Sequence, residues 1–442
     1  MAIGLADHFT YKKLIHFVVP CIAMMIVTSL YSIVDGFFVS NFAGKNAFAA
    51  VNLVMPVLMG FSSFGFMIGT GGSALVAFTL GDGNQEKANQ IFSMLIEFTV
   101  LLGILFSVVG IIFMPQIAHI LGATELIFDD CVLYGRILLV TLTFYMLANS
   151  FQSFLVTAER AKMGLIITIT AGVINMLLDY LFVGVLQGGI AGAGYATALS
   201  QIVGGMIPMI YFLKRNGSVL RLRLTKLDVH AIGKACSNGS SEMMSNLSTS
   251  LIGILYNFQL MKYASENGIA AYGVIMYVSF IFIAIFIGYS IGIGPVIGYH
   301  HGANHNIELK NILRKSLTLI LIVAITMTVL AECFAGPVAK VFVGYDPILM
   351  DMTKQAMTIY SLSFLFSGFN IFGSAFFTGL NNGKISAIIS FLRTWVIEVA
   401  SILLLPLILG MEGVWMAIVL AEGVALMVTV SMLLLNKKKY GY

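Results

Sequence analysis

Four oxygen-bearing side chains stand in apolar surroundings where nothing in the neighbouring sequence neutralises them. Asp179 lies in the run VINMLLDYLFVGVLQGGIAGAGYATALSQ, residues 173–201, and Asn175 precedes it by one helical turn. Residues i and i+4 share a helix face, so carboxamide and carboxylate point the same way. A turn is expected near Gln187, Gly188 and Gly189. Asp179 lies nine residues before Gly188, and Thr197 lies nine after it. Antiparallel helices flanking that turn put both residues at one depth, about 13 Å from the turn at 1.5 Å per residue. Asp35, in SIVDGFF, shortly precedes another expected turn, around residues 41–45, on the same side. A carboxylate at the centre of a membrane helix costs roughly 2.5–3.5 kcal/mol on insertion scales. Two of them together must hold a cation or keep a proton, because desolvation and mutual repulsion oppose the doubly charged state. Oxygen ligands of this kind suit a hard cation such as Na⁺, and they serve H⁺ equally. The alternative is a hydrogen-bonded clamp between helices with no ion, the usual role of Asn and Thr in membranes.

The elements that position these groups follow from composition. The chain has 442 residues, 59% hydrophobic and 10% charged, with a mean hydropathy of +0.96. Soluble domains are about 25% charged, so this is an all-α polytopic membrane protein. A span needs about 20 apolar residues. Twelve runs qualify: 14–38, 47–79, 91–113, 131–156, 163–186, 190–213, 236–261, 269–298, 312–332, 353–377, 384–409 and 413–435. The second and eighth are overlong, which predicts tilt or a break. No period-two alternation supports a β-barrel, and no cleavable signal peptide is evident. Of the 24 Lys and Arg, 18 fall on one side of the membrane, five on the other, and Arg393 lies inside a helix. The basic side is cytoplasmic, which places both termini in the cytoplasm and the chain in the inner (plasma) membrane. The net charge of +4 is scattered over membrane edges, so the partner is the lipid bilayer and not nucleic acid. The four cysteines, Cys21, Cys131, Cys236 and Cys333, lack C-x-x-C spacing and read as free thiols.

The chain repeats itself at an offset of 221 residues. Thr28-Ser29-Leu30 falls on Thr249-Ser250-Leu251. Asn149, Phe151, Ser153 and Thr157 fall on Asn370, Phe372, Ser374 and Thr378, and Gly71, Gly81 and Gly192 fall on Gly292, Gly302 and Gly413. An even number of spans per repeat makes the repeats parallel, and transporters place substrate between such repeats. The expected organisation is a first lobe over 1–213, a basic cytoplasmic linker over 214–230, and a second lobe over 231–442. Together these form twelve transmembrane helices in two pseudo-symmetric six-helix lobes.

Several stretches together resemble the MATE (multidrug and toxic compound extrusion) family of the wider multidrug, oligosaccharide-lipid and polysaccharide exporter superfamily. They are YSIVDGFFVSNFAG at 31–44, LGDGNQEKA at 80–88, INMLLDYLFV at 174–183 and GIAGAGYATALSQ at 189–201. The resemblance implies two lobes around a V-shaped cavity. It also implies a first-lobe cation site on Asp35, Asn175, Asp179 and Thr197, the four residues reached above. The site is not duplicated: at offset 221, Asp35 becomes Tyr256, Asn175 becomes Val396, Asp179 becomes Ala400 and Thr197 becomes Ile418. The second lobe instead carries Glu242, Arg393, Glu398 and Glu422, read as structural cement with Arg393 bridging to Glu242 or Glu398. The competing reading gives one of these glutamates a role in proton or substrate binding.

Tyr31, Met55, Gln152, Tyr256, Met276 and Asn370 are candidate substrate contacts. Methionines adapt to many shapes and aromatic faces attract cations. Glu97 faces either the cavity or the membrane edge. His300, His301 and His305, in YHHGANH, read as a solvated loop and not as a metal site. No Walker A, G-x-S-x-G or H-E-x-x-H motif appears, so neither an ATP-driven pump nor an enzyme is expected. The resulting expectation is an H⁺- or Na⁺-coupled antiporter, a monomer without cofactor, and the family resemblance implies that it exports amphipathic, often cationic small molecules such as drugs and dyes. A lipid-linked oligosaccharide flippase, a single-metabolite exporter, a passive channel and an intramembrane enzyme are the alternatives.

Overall fold

The computed structural model describes residues 3–215, 217–223, 225–226 and 228–442. Among them the regular structure is helical throughout. The first half comprises α1 (Tyr11–Phe38), α2 (Lys45–Gly81), α3 (Gln85–Ile120), α4 (Glu125–Thr157), α5 (Ala161–Asp179) and α6 (Gly189–Leu213). The second comprises α7 (Val229–Gly302), α8 (Asn306–Val343), α9 (Pro347–Ser361), α10 (Phe364–Gly379), α11 (Gly383–Phe391) and α12 (Val399–Tyr440). Local chemistry marks the ends. Thr10, Asn84, Asp228, Asp346 and Asn382 accept backbone N–H groups at their helix starts, satisfying donors that have no partner inside the helix. The overlong second run is one continuous helix with Pro56 inside it.

Among the described residues, nine helices are long and apolar enough to cross a membrane, and α9 with α10 forms a further pair bent by 44°. Two of the nine are folded back on themselves. Within α7, Ser265 has φ 52° and ψ −146°, and Tyr256 stacks on Tyr272 with ring centroids 4.8 Å apart. Sixteen residues of straight helix would separate them by about 24 Å, so the arms 229–264 and 266–302 are antiparallel. Gly410 does the same in α12, with φ 60°. There a methyl group added at Gly413 would lie 2.5 Å from the carbonyl oxygen of Leu405, eight residues away.

Four apolar clusters show how the halves meet. One draws only on residues 39–198 and another only on 252–418. The other two mix the halves: Phe9, Leu14 and Cys21 pack with Phe286, Ile297 and Phe376, and Met67, Leu75 and Phe92 pack with Ala231 and Ala235. The mixed clusters lie toward the face that carries both termini. The halves are therefore fused there and have separate cores toward the opposite face.

Glycines allow that fusion. Added Cβ atoms at Gly71 and Gly239 would strike the backbone of the other half, at Ala235 and Met67 respectively; those at Gly81 and Gly302 would strike Tyr299 and Phe78. The N-terminal segment adds a strap. Leu5 N–H donates to Glu159 in the first half at 2.8 Å, and Phe9 N–H donates to Glu308 in the second at 2.9 Å. Lys315 and Asn311 both donate to the Phe9 carbonyl.

The basic linker is pinned rather than free. Arg221 N–H donates to Asn89 at 2.7 Å, Arg223 N–H donates to Ser93 at 2.9 Å, and Leu220 is fully buried. Residues 216, 224 and 227 of the linker lie outside the described set. The histidine motif keeps part of its reading as a solvated loop: His305 is exposed in the turn before α8 and His301 is half-exposed. His300 departs from it, closing the second arm of α7 and buried against Phe9 of the strap.

Candidate functional site

Asp35, Asn175, Asp179 and Thr197 converge in the first half of the chain, as their depths along the helices require. The Thr197 hydroxyl donates to Asp35 Oδ1 at 3.3 Å. Asp35 is 7% exposed, Asn175 1% and Asp179 0%. Asn175 and Asp179 face the Asp35 carboxylate within hydrogen-bonding reach, and beyond Asp35 the Asp179 oxygens and the Asn175 amide have no well-aligned partner among the described residues. Buried polar groups are paired as a rule. An unpaired carboxylate beside a second one is the costliest exception, and a proton or a cation relieves it.

The helices carrying these residues are locally irregular at the site. α5 is regular up to Asp179 and then runs as a π-helical turn, Tyr180–Val185. α1 likewise passes into a π-helical turn, Val39–Ala43, four residues after Asp35. Such turns are frequent at functional sites.

Tyr134, from α4, is a fifth member that the sequence did not reveal. It is fully buried, and its hydroxyl stands beside Thr197, Asp35 and Asp179. One tyrosine among 17 in an apolar helix carries no mark of its own. A depth comparison between the fourth span and the 5–6 turn is the signal that would have found it.

The site forms one wall of a cavity of about 220 Å³. Asp35, Asn175 and Thr197 line it, as do the candidates Tyr31, Met55 and Gln152; Phe66, Tyr145 and Phe151 add aromatic surface. Asp179 lies behind this wall. Glu97 is half-buried in α3.

The other candidates lie in the second half, away from this cavity. Tyr256 is buried in its stack on Tyr272, and Met276 packs beside that same apolar cluster. Asn370 donates to Glu422 Oε2 at 2.7 Å and accepts from the Thr429 hydroxyl at 2.8 Å. The ion pair of Arg393 also differs from expectation. It forms with Glu422, through contacts of 2.6, 3.0 and 3.1 Å, and not with Glu242 or Glu398. Arg393 stands on a third π-helical turn, Leu392–Glu398, which shifts its facing from that of a regular helix. Glu398 is buried beside Glu422 and Arg393. Glu242 lines a water-sized void of about 30 Å³ between the halves, with Ser73, Ser290 and Thr378.

Comparison with known proteins gives one consistent result. The sequence pattern of the MatE family matches twice, over residues 20–181 and 243–404. Probable multidrug resistance protein YoeA of Bacillus subtilis (strain 168) is 26% identical over 428 residues, covering 94% of this chain and 92% of that protein. Multidrug export protein MepA of Staphylococcus haemolyticus (strain JCSC1435) is 23% identical over 418 residues, covering 94% and 91%. Among solved structures, an outward-facing multidrug resistance MATE family transporter of the MOP superfamily superposes with a TM-score of 0.92, at 22% identity and 98% and 97% coverage. A MOP superfamily transporter from Pyrococcus furiosus superposes with a TM-score of 0.91, at 22% identity and 98% coverage of both chains. At that identity the structural likeness is one of fold.

Proposed function

We propose, from the premise that this chain belongs to the MatE family, that it is an ion-coupled secondary exporter of amphipathic organic compounds. The observation that carries the reading is the buried carboxylate pair, Asp35 on the wall of a cavity and Asp179 directly behind it, with Asn175 and Thr197 beside them. The names of relatives that export multiple drugs support it.

In this reading the face with both termini is cytoplasmic. The spans number twelve when Ser265 and Gly410 count as hairpin turns and the bent α9–α10 pair as one crossing. The lobes are 1–213 and 231–442, and the paired family match supports that division. The fused cytoplasmic face makes this an outward-open state.

Coupling follows from the site's electrostatics. Empty and charged, the two carboxylates repel each other in a medium that solvates neither. A cation arriving from outside, H⁺ or Na⁺, removes that repulsion and lets α1, α5 and α6 draw together. Asp35, Asp179, Asn175 and Thr197 supply the oxygen ligands, and Thr197 orients Asp35. A ligand drives a conformational change only by binding one state better than the other, and this site changes shape with its charge. The aromatic and methionine lining of the cavity suits organic cations of varied shape.

The test uses the purified chain in proteoliposomes loaded with a fluorescent organic cation, under an imposed pH or Na⁺ gradient. Gradient-driven dye movement that Asp179→Asn abolishes supports the reading and identifies the ion. Dye movement that ignores both gradients rejects it.

A further inference from the structure

We infer that a groove on the membrane-facing side of the first lobe is a headgroup-selective site for one anionic phospholipid of the outer leaflet. The groove measures about 670 Å³, within the range of roughly 300–1,000 Å³ typical of ligand sites. Its floor is low because Gly188, Ala191 and Gly192 carry almost no side chain, and Val140 and Tyr195 form its flanks. The lining is apolar along its length, as an acyl chain requires.

Charge at one end selects the headgroup. Arg136 lines the groove beside the α5–α6 turn, which the proposed topology places at the outer membrane surface. It stands 11 residues inside α4, not in a loop. Among the described residues its guanidinium makes one weak hydrogen bond, from Nε to the Ile111 carbonyl at 3.4 Å, and no ion pair. A guanidinium at headgroup level with free donors fits a phosphate in the bidentate manner. Tyr195, 53% exposed, adds the amphipathic ring found at membrane interfaces.

The groove shares its wall with the ion site. On α6, Tyr195 and Ala198 face the groove, and Thr197 and Gln201 face the cavity. Thr141, in the groove, donates to Gln201 at 2.9 Å. A lipid seated there bears directly on the helix that holds Thr197. The inference rests on the function proposed above only for the identity of the leaflet; its test is binding, which does not require transport.

The test is native mass spectrometry of the full chain in detergent, titrated with phosphatidylglycerol or phosphatidylcholine of identical acyl chains. One basic residue near a membrane surface corresponds to about fivefold in affinity. The wild type is expected to retain one phosphatidylglycerol about fivefold more tightly than phosphatidylcholine. Arg136→Gln should level the two, and Arg136→Lys should keep most of the preference. Val140→Trp, at an exposed position, should displace both lipids while thermal stability is unchanged. Equal retention of both lipids by the wild type, or a preference that survives Arg136→Gln, overturns the site. A preference abolished by neutralising Lys45 and not Arg136 assigns the lipid to another part of the outer face and overturns it as well.

Discussion

Removing Arg393 should destabilise the second half of the chain far more than removing its partner. In the native structure Glu422 is 3% exposed and receives three contacts from Arg393, at 2.6, 3.0 and 3.1 Å, and one from Asn370 at 2.7 Å. Arg393→Met leaves that carboxylate with Asn370 alone and with Glu398 nearby. Breaking a buried pair by deleting one side costs about 3–5 kcal/mol, because the survivor is an uncompensated charge. Glu422→Gln is milder: Arg393 still has Glu398 and Glu242 in its surroundings, and Gln keeps the hydrogen bond with Asn370. The double variant Arg393→Met/Glu422→Gln removes both charges and should recover most of the loss. If unfolding entropy scales with chain length as in soluble proteins, the single Arg393 variant loses about 3–5 °C in melting temperature. Thermal unfolding of the three variants in one detergent, followed by size-exclusion chromatography, measures this. Equal losses for the two single variants, or a double variant no better than Arg393→Met, would refute the argument that the unpaired carboxylate dominates.

Other expectations follow from the same contacts. Thr197→Val removes the hydroxyl that donates to Asp35, a hydrogen bond to a charged group worth about 1.5–3 kcal/mol that favours the empty site; if the ion is H⁺, its affinity should rise at least tenfold in an equilibrium binding titration, and if it is Na⁺, which loses an oxygen ligand, its affinity should fall. Gly239→Ala puts a methyl against the Met67 carbonyl and should loosen the closed face that carries both termini. A cysteine introduced at Ser290, in the void between the halves, should then react faster with a membrane-impermeant maleimide added on that side. Glu308→Gln weakens the charged contacts to His8 and the Phe9 N–H and should raise hydrogen exchange at Phe9, leaving the core of α4 protected.

The first-lobe site was legible because three regularities combined. Asn175 and Asp179 share a face by helical period, Asp179 and Thr197 share a depth by symmetry about Gly188, and an acidic group in an apolar run is conspicuous. Tyr134 has none of these marks. The partner of Arg393 was illegible for a geometric reason. Depth estimates assume 1.5 Å per residue, and the π-helical turn Leu392–Glu398 and Pro406 both disturb that count between Arg393 and the turn at Gly410. The strap from Leu5 to Phe9 was hidden because its contacts, Glu159 and Glu308, lie about 150 and 300 residues away along the chain. Nothing local announces them. The hairpin in α7 was foreseen as a gap between apolar runs, whereas the burial of His300 depends on that distant strap.

The measurement that bears most directly on the central claim is counter-flow of the ion itself. Proteoliposomes with no ion gradient are given a gradient of an organic cation dye, and movement of H⁺ and of radioactive Na⁺ is followed. The account predicts that dye flowing one way drives one of these ions uphill the other way, and that Asp179→Asn ends the ion movement. Dye flux with neither ion following, or ion movement undiminished in Asp179→Asn, contradicts it.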